Sequence, residues 1–278
     1  MEIEAFRKLH PAEFYRKFLV HSVRPDGRNL SKARKTTITA GSVKTACGSS
    51  FVKIGNTSVS AGVKAECGLA PPTTPGNVNV ELTPLCSPNF KPGKPSELSQ
   101  YIATILNRLV RTTDLVDESV LRIEDKEEQS KERKAMVWYL YVDMYCLDYD
   151  GNVFDACLIA LLSALANVRL PAARVVSKDD NFTVVTTGEA NIGLRLRHFP
   201  IPLTFAIFDE IYVLADPTAE EESLAGSTFT IIYNDKKEIC SVLKPGGTTL
   251  SDSTLKECME RAKVRVDEVM PLLAHTMA

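Results

Sequence analysis

Apolar positions recur along this chain with two periods, and the switches between them mark its elements. From Ser58 to Ala65, Val59, Ala61, Val63 and Ala65 alternate with Ser60, Gly62 and Lys64. That two-residue period predicts a half-buried strand. Thr36–Ala40 and Ser50–Ile54 have similar β-rich character, and Gly55-Asn56-Thr57 predicts a hairpin connection. Residues 71–95 hold seven of the fifteen prolines, interrupted by Asn77–Leu82, where Val78, Val80 and Leu82 alternate. This predicts one strand between two exposed loops. Met136 to Leu147 predicts a long apolar strand, followed by a tight turn at Asp148-Tyr149-Asp150-Gly151. Further strands are expected at Thr183–Thr187, Leu203–Phe208, Ile211–Leu214, Phe229–Tyr233 and Ile239–Leu243.

Helical patterns separate these runs. Pro11–Val20 predicts a short amphipathic helix leading into the turn RPDGR at 24–28, where Pro presets φ and Gly accepts a positive one. Ser96 is a suitable N-cap for a helix running to about Arg111. Val153–Val168 is apolar on nearly every face, which predicts burial on several sides, and Pro171 is expected to close that segment. Near the C-terminus a helix is expected from Ser251 towards His275. Its stripe of Leu255, Met259, Ala262, Val266, Val269 and Leu273 would dock on a sheet. Two β-then-α blocks joined near residues 170–190 predict an α+β chain of two similar halves. The expected division is an N-terminal helix and turn at 1–30, a first sub-domain at 31–170 and a second at 171–278.

Composition narrows the setting. A chain of 278 residues, 44% hydrophobic, needs no metal or disulfide staple to hold a core. Thirty-three basic residues against 35 acidic ones exclude a strongly basic nucleic-acid coat, but allow a local basic patch. The seven cysteines are widely spaced, which reads as reduced thiols in a cytosolic or nuclear protein. The charged start MEIEAFRKLH lacks the apolar core of a signal peptide, and Val153–Val168 is too short for a membrane span. No membrane association is expected.

Generic motifs offer little chemistry. Lys244-Pro-Gly-Gly247 lacks the Gly-Lys-Ser/Thr end of a phosphate-cradling loop and reads as a structural turn. Residues 124–134, nine of them charged among eleven, read as a solvated segment. The acidic run DPTAEEES at 216–223 offers paired carboxylates suited to magnesium. Thr218 followed by Glu221 also has the spacing of a capping box, the reading the pattern favours.

Four segments together resemble one family, the RNase PH-like subunits of the RNA exosome. They are RPDGR at 24–28, GSSFVKIGNTSVSAGVKAE at 48–66, CLDYDGNVFDACLIALLSAL at 146–165 and ADPTAEEESLAGSTFTIIYN at 215–234. The resemblance covers about residues 11–270 and implies a duplicated RNase PH-like β/α fold. It also implies a ring of six such subunits around a pore, cap subunits with RNA-binding domains, an associated hydrolytic nuclease, and RNA passing through the pore. Nucleus, nucleolus and cytoplasm are the implied compartments.

In active members, phosphate attacks the RNA 3′ end and releases nucleoside diphosphates. The resemblance places a Gly-Thr-Arg after the Asp-Gly turn there, whereas this chain has Asn152-Val153-Phe154-Asp155. A carboxylate at Asp155 is expected to repel phosphate. Of the two acids kept six residues apart in active members, the first matches Glu222. The second falls on Thr228 or Ser227, so no acid pair is left to hold a metal. The chain is therefore expected to lack catalytic residues and cofactors.

Arg108 and Arg111 match an Arg-x-x-Arg pattern of the inactive branch and share one helical face. They are candidate RNA contacts; the alternative is two solvated arginines. Three function classes follow: a non-catalytic ring subunit that threads RNA, an active phosphate-dependent 3′-to-5′ exoribonuclease, and a stand-alone RNA-binding scaffold. The broken site weighs against the second, and the near-neutral charge against the third.

Overall fold

A computed structural model describes residues 2–69, 76–123, 136–178 and 181–277. Helices α1 (Glu2–Leu9) and α2 (Pro11–Leu19) open the chain, α1 not having been expected from the pattern. Strands β1 (Thr36–Ala40), β2 (Gly48–Ile54), β3 (Thr57–Leu69) and β4 (Gly76–Leu82) follow. After them come α3 (Glu97–Thr112), α4 (Glu118–Leu121), β5 (Arg122–Ile123) and β6 (Met136–Asp148). The first sheet has the order β1-β2-β3-β6-β4, with β5 beside β6. Its pairs are antiparallel except β4 with β6, which run parallel. Parallel pairing needs a crossover, and α3 lies within it. Ser96 caps α3 as expected, its hydroxyl accepting from the Ser99 N–H at 3.1 Å. Asn107 on α3 accepts from the Val78 N–H and donates to its carbonyl, at 2.9 and 2.8 Å, closing one rung of the free edge of β4.

Helix α5 (Val153–Ala166) is buried from Val153 through Leu165. It packs on β1, β2, β3 and β6 of the first sheet and also on β9 (Ile201–Phe208) of the second. That double contact explains why the helix carries no polar face. The second sheet has the order β10-β9-β11-β12, all antiparallel, with β10 at Tyr212–Ala215, β11 at Ser227–Tyr233 and β12 at Ile239–Leu243. Helix α6 (Ala219–Leu224) lies between β10 and β11, and α7 (Asp252–Met277) packs on β1, β9 and β11. On α7, Ala262, Val266, Val269 and Leu273 are buried, while Leu255 and Met259 are only partly covered. One apolar core spans both sheets, and a smaller cluster joins α2 to β9.

Three expectations need correction. Pro171 does not close a segment: β7 (Arg169–Lys178) runs through it and pairs with β8 (Asn181–Gly193), with a register shift between Pro171 and Ala173. A shift of this kind absorbs the missing N–H of proline. The strand expected at Thr183–Thr187 is accordingly only part of β8. Helix α5 ends at Ala166 rather than Val168. Residues 124–134 and 71–75, expected as a solvated segment and a loop, lie outside the described residues.

Candidate functional site

Three stretches distant in sequence meet between the sheets: residues 24–34, the turn 148–152 and the segment 216–222. Their junction is ionic and buried. Asp216, with a backbone φ of +52°, accepts from the Arg34 backbone N–H at 2.7 Å. It also accepts from the Arg34 guanidinium at 2.9 and 2.8 Å and from Asn152 Nδ2 at 2.7 Å. Burial works against the charged Asp216 carboxylate, but the hydrogen bonds and charge of Arg34 prevail and hold it below the usual carboxylate range. Arg34 also reaches the Asp150 carbonyl at 2.7 Å.

Arg24, whose side chain is fully buried, pairs with Glu221 at 3.3 Å and donates to the Leu30 carbonyl at 2.6 Å. Arg28 donates to the Asp216 carbonyl at 3.1 Å. RPDGR is thus more than a turn, because its two arginines tie the N-terminal segment to residues 216–221. Local pattern could not reveal this, since the partners lie about 190 positions away. At the start of α6 the capping box is complete: Thr218 Oγ1 accepts from Glu221 N–H at 3.4 Å, and Glu221 Oε2 accepts from Thr218 N–H at 2.9 Å. Lys244 donates to the carbonyls of Gly246 and Gly247, at 3.2 and 3.5 Å, consistent with a turn.

Next to this junction is a small cavity of about 100 Å³ that gathers Tyr149, Asn152, Phe154, Glu222 and Thr228, with Tyr101 from α3. Glu222 and Thr228, the two positions singled out from sequence, therefore do come together. Glu222 accepts from the Asn152 N–H at 2.7 Å and from the Tyr149 hydroxyl at 3.1 Å. Burial pushes its carboxyl up, against those two bonds. Among the described residues no Arg, Lys or His lines the cavity, and Glu222 is its single carboxylate.

Asp155 departs from the expectation that it would repel phosphate at the cavity. It is 1% exposed and turned towards β9, accepting from Thr204 N–H at 3.0 Å, Thr204 Oγ1 at 2.7 Å and Asn152 Nδ2 at 2.8 Å. Burial pushes its carboxyl up to about 6. Its place in the first turn of α5 makes it a clamp between that helix and the second sheet. Among the described residues the cavity offers a metal one carboxylate, Glu222, because Asp155 and Asp216 lie outside its lining in these internal bonds.

Arg108 and Arg111 are exposed on α3, opposite its buried Ile102, Ile105, Leu106 and Leu109. Neither forms an ion pair with another described residue. They lie beyond Tyr101 along the helix by about 10–15 Å, from the rise per residue. Arg111 borders a separate apolar cavity of about 40 Å³ together with Val110 and Val116. Among the described residues the two arginines are thus unpaired cations beside the cleft rather than part of it.

Comparison with known proteins fits this architecture. Residues 32–171 match domain 1 of the RNase PH, 3′ exoribonuclease family, and residues 198–265 match domain 2. The chain is 34% identical over 262 residues to "Exosome complex component rrp43" of Schizosaccharomyces pombe, covering 93% of each chain. It is 34% identical over 250 residues to "Exosome complex component Rrp42" of Methanopyrus kandleri, covering 88% of this chain and 89% of that one. A solved structure described as the Archaeoglobus fulgidus exosome with RNA bound to the active site superposes with a TM-score of 0.77 at 31% identity. That match covers 94% of this chain and 96% of the other. Another, described as an archaeal exosome core, gives 0.75 at 27% identity over 100% of both. Two sheets sharing one buried helix, the buried junction of residues 24–34 with 216–222, and matches to both domain models make this chain a member of the RNase PH, 3′ exoribonuclease family.

Proposed function

We propose that the chain is a non-catalytic ring subunit of the RNA exosome, of the inactive branch and similar to ribosomal RNA-processing protein 43. It sits among other RNase PH-like subunits in a six-membered ring, under cap subunits with RNA-binding domains. Its role is structural: it helps assemble the ring and thread RNA towards an associated hydrolytic nuclease. That places it in 3′-to-5′ RNA processing and degradation, including rRNA 3′-end maturation and mRNA turnover, in nucleus, nucleolus and cytoplasm.

The observation that carries the non-catalytic reading is the cavity's charge. A phosphate nucleophile needs cationic or N–H donors where its charge sits. Among the described residues the lining has one carboxylate and no cation, while Arg24, Arg28 and Arg34 are bound up in the neighbouring junction. Incubation of the purified chain with single-stranded RNA and inorganic phosphate is expected to release no nucleoside diphosphate. Phosphate-dependent release above a no-protein control would overturn this reading.

The reading puts Arg108 and Arg111 on the RNA path because they are exposed, without an ion pair among the described residues, and on one helical face. Replacing both with alanine in the assembled complex is expected to reduce the slope of log affinity against log salt by about 1.4 for single-stranded RNA, two phosphate contacts being lost. Sequence preference is expected to stay the same, since phosphate contacts do not read bases. An unchanged slope would return both residues to solvated surface.

A further inference from the structure

The cavity around Glu222 is unsuited to phosphate, yet its hydrogen-bonding capacity is only partly used. Glu222 Oε1 accepts the Asn152 N–H at 2.7 Å, and Oε2 accepts the Tyr149 hydroxyl at 3.1 Å. An ionised carboxylate offers about four acceptor sites, two on each oxygen. One site therefore stays open on each oxygen. Thr228, in the same lining, has a hydroxyl with no hydrogen bond to another described residue. Two acceptors on one carboxylate match the planar N–H fork of a guanidinium, and a neighbouring hydroxyl can take a third N–H.

The charge around the carboxylate points the same way. Arg34 lies close enough to favour the ionised Glu222, but its N–H donors go to Asp216, to Asp150 and to the carbonyls of Gly151 and Pro217. Arg24, Arg28 and Arg34 together already face the carboxylates of Asp26, Asp150, Asp216 and Glu221. Lys244, between the lining residues Leu243 and Pro245, is exposed and donates to the Gly246 and Gly247 carbonyls. Among the described residues no cation donates to Glu222. The way in is apolar and aromatic: Leu98 and Tyr101 are 36% and 41% exposed, and Tyr149 and Phe154 share the lining. Aliphatic stems of basic groups pack on such surface, and aromatic rings attract their cationic heads.

We infer that this cavity binds an alkylguanidinium group, its head forked onto Glu222 and its stem lying along Leu98 and Tyr101. That chemistry belongs both to a free guanidino compound and to an arginine side chain of a neighbouring protein. A metal ion is disfavoured by the single carboxylate, and an ammonium presents no planar fork to its two oxygens. The inference rests on the non-catalytic reading of the cavity given above.

The test titrates the isolated full chain with n-butylguanidinium and with n-butylammonium, followed by ligand-observed NMR. Two charge-assisted hydrogen bonds set an expected dissociation constant on the order of 1 mM for the guanidinium, with the ammonium about threefold or more weaker. Glu222→Gln is expected to weaken guanidinium binding about tenfold or more, and Thr228→Val about threefold. Thermal unfolding checks each variant, and Thr228→Val keeps the test decisive if Glu222→Gln does not fold. Titration of the assembled complex separates the two sources. Unchanged binding there assigns the site to a free compound. Binding that is lost on assembly, and restored when one neighbouring subunit's arginine is replaced by alanine, assigns it to that side chain. No saturable guanidinium binding by the wild type, equal binding of the ammonium, or binding unaltered in both variants would overturn the inference and leave the non-catalytic reading intact. Phosphate-dependent release of nucleoside diphosphate from RNA would overturn that reading and this inference with it.

Discussion

Replacing Asp216 with alanine is expected to lower the unfolding free energy by about 3–5 kcal/mol, the cost of removing one partner from a buried ion pair. The carboxylate is 1% exposed, and its removal strands Arg34, whose side chain is 7% exposed. It also removes an acceptor from the Arg34 backbone N–H and from Asn152. Urea unfolding at neutral pH measures the effect, with Asp216→Asn separating lost charge from lost backbone conformation. A loss below about 1 kcal/mol would mean that water repairs the junction, as at an exposed pair.

The two buried aspartates should respond to pH with opposite sign. Asp216 has its folded pKa below the unfolded value, so its contribution is present above the unfolded carboxylate pKa and is lost as pH falls through the folded one. Asp155 has its folded pKa raised to about 6, so its ionised form is disfavoured by folding. Its effect is to lower stability as pH rises from about 4, the unfolded value, to about 6. Asp155→Asn is expected to remove that decline.

The second large effect is expected at Gly151, where φ is +72°. A Cβ there would lie 2.5 Å from both the Ala219 nitrogen and the Thr218 carbonyl carbon, in the backbone that opens α6. Gly151→Ala adds a left-handed penalty to a backbone collision, together about 2–5 kcal/mol. Gly27→Ala is the comparison. Its φ is +82°, but no atom lies within 4 Å of its Cβ, so only the conformational cost of about 1–2 kcal/mol is expected. Equal losses in calorimetry at the two positions would show that the turn and α6 move apart easily.

How much was legible before the structure depended on whether the determining partner was local. The alternation of Val59, Ala61 and Val63 and the cap at Ser96 depend on neighbours a few residues away, and both appear as expected. The all-round apolar character of Val153–Val168 correctly anticipates burial on several sides, because it needs only the rule that apolar surface is covered. Pro171 misled because a strand that shifts register tolerates proline, and a shift leaves no mark in the pattern. Asp155 misled for a related reason: a residue in the first turn of a helix can face either of two neighbours, and Thr204, 49 positions on, decides which. Glu222 and Thr228 were placed together by the family resemblance, whereas the work of Arg24, Arg28 and Arg34 depends on pairings across most of the chain.

The shared helix between the sheets also sets an order of events during synthesis. Helix α5 is complete once Ala166 has been made, but β9, which packs on its second side, ends about 40 residues later. At ribosomal rates of about 5–20 residues per second, the nascent chain carries an uncovered apolar helix for roughly 2–8 s. During that interval chaperone capture competes with self-association, so slower elongation between residues 166 and 208 should increase the chain's dependence on chaperones.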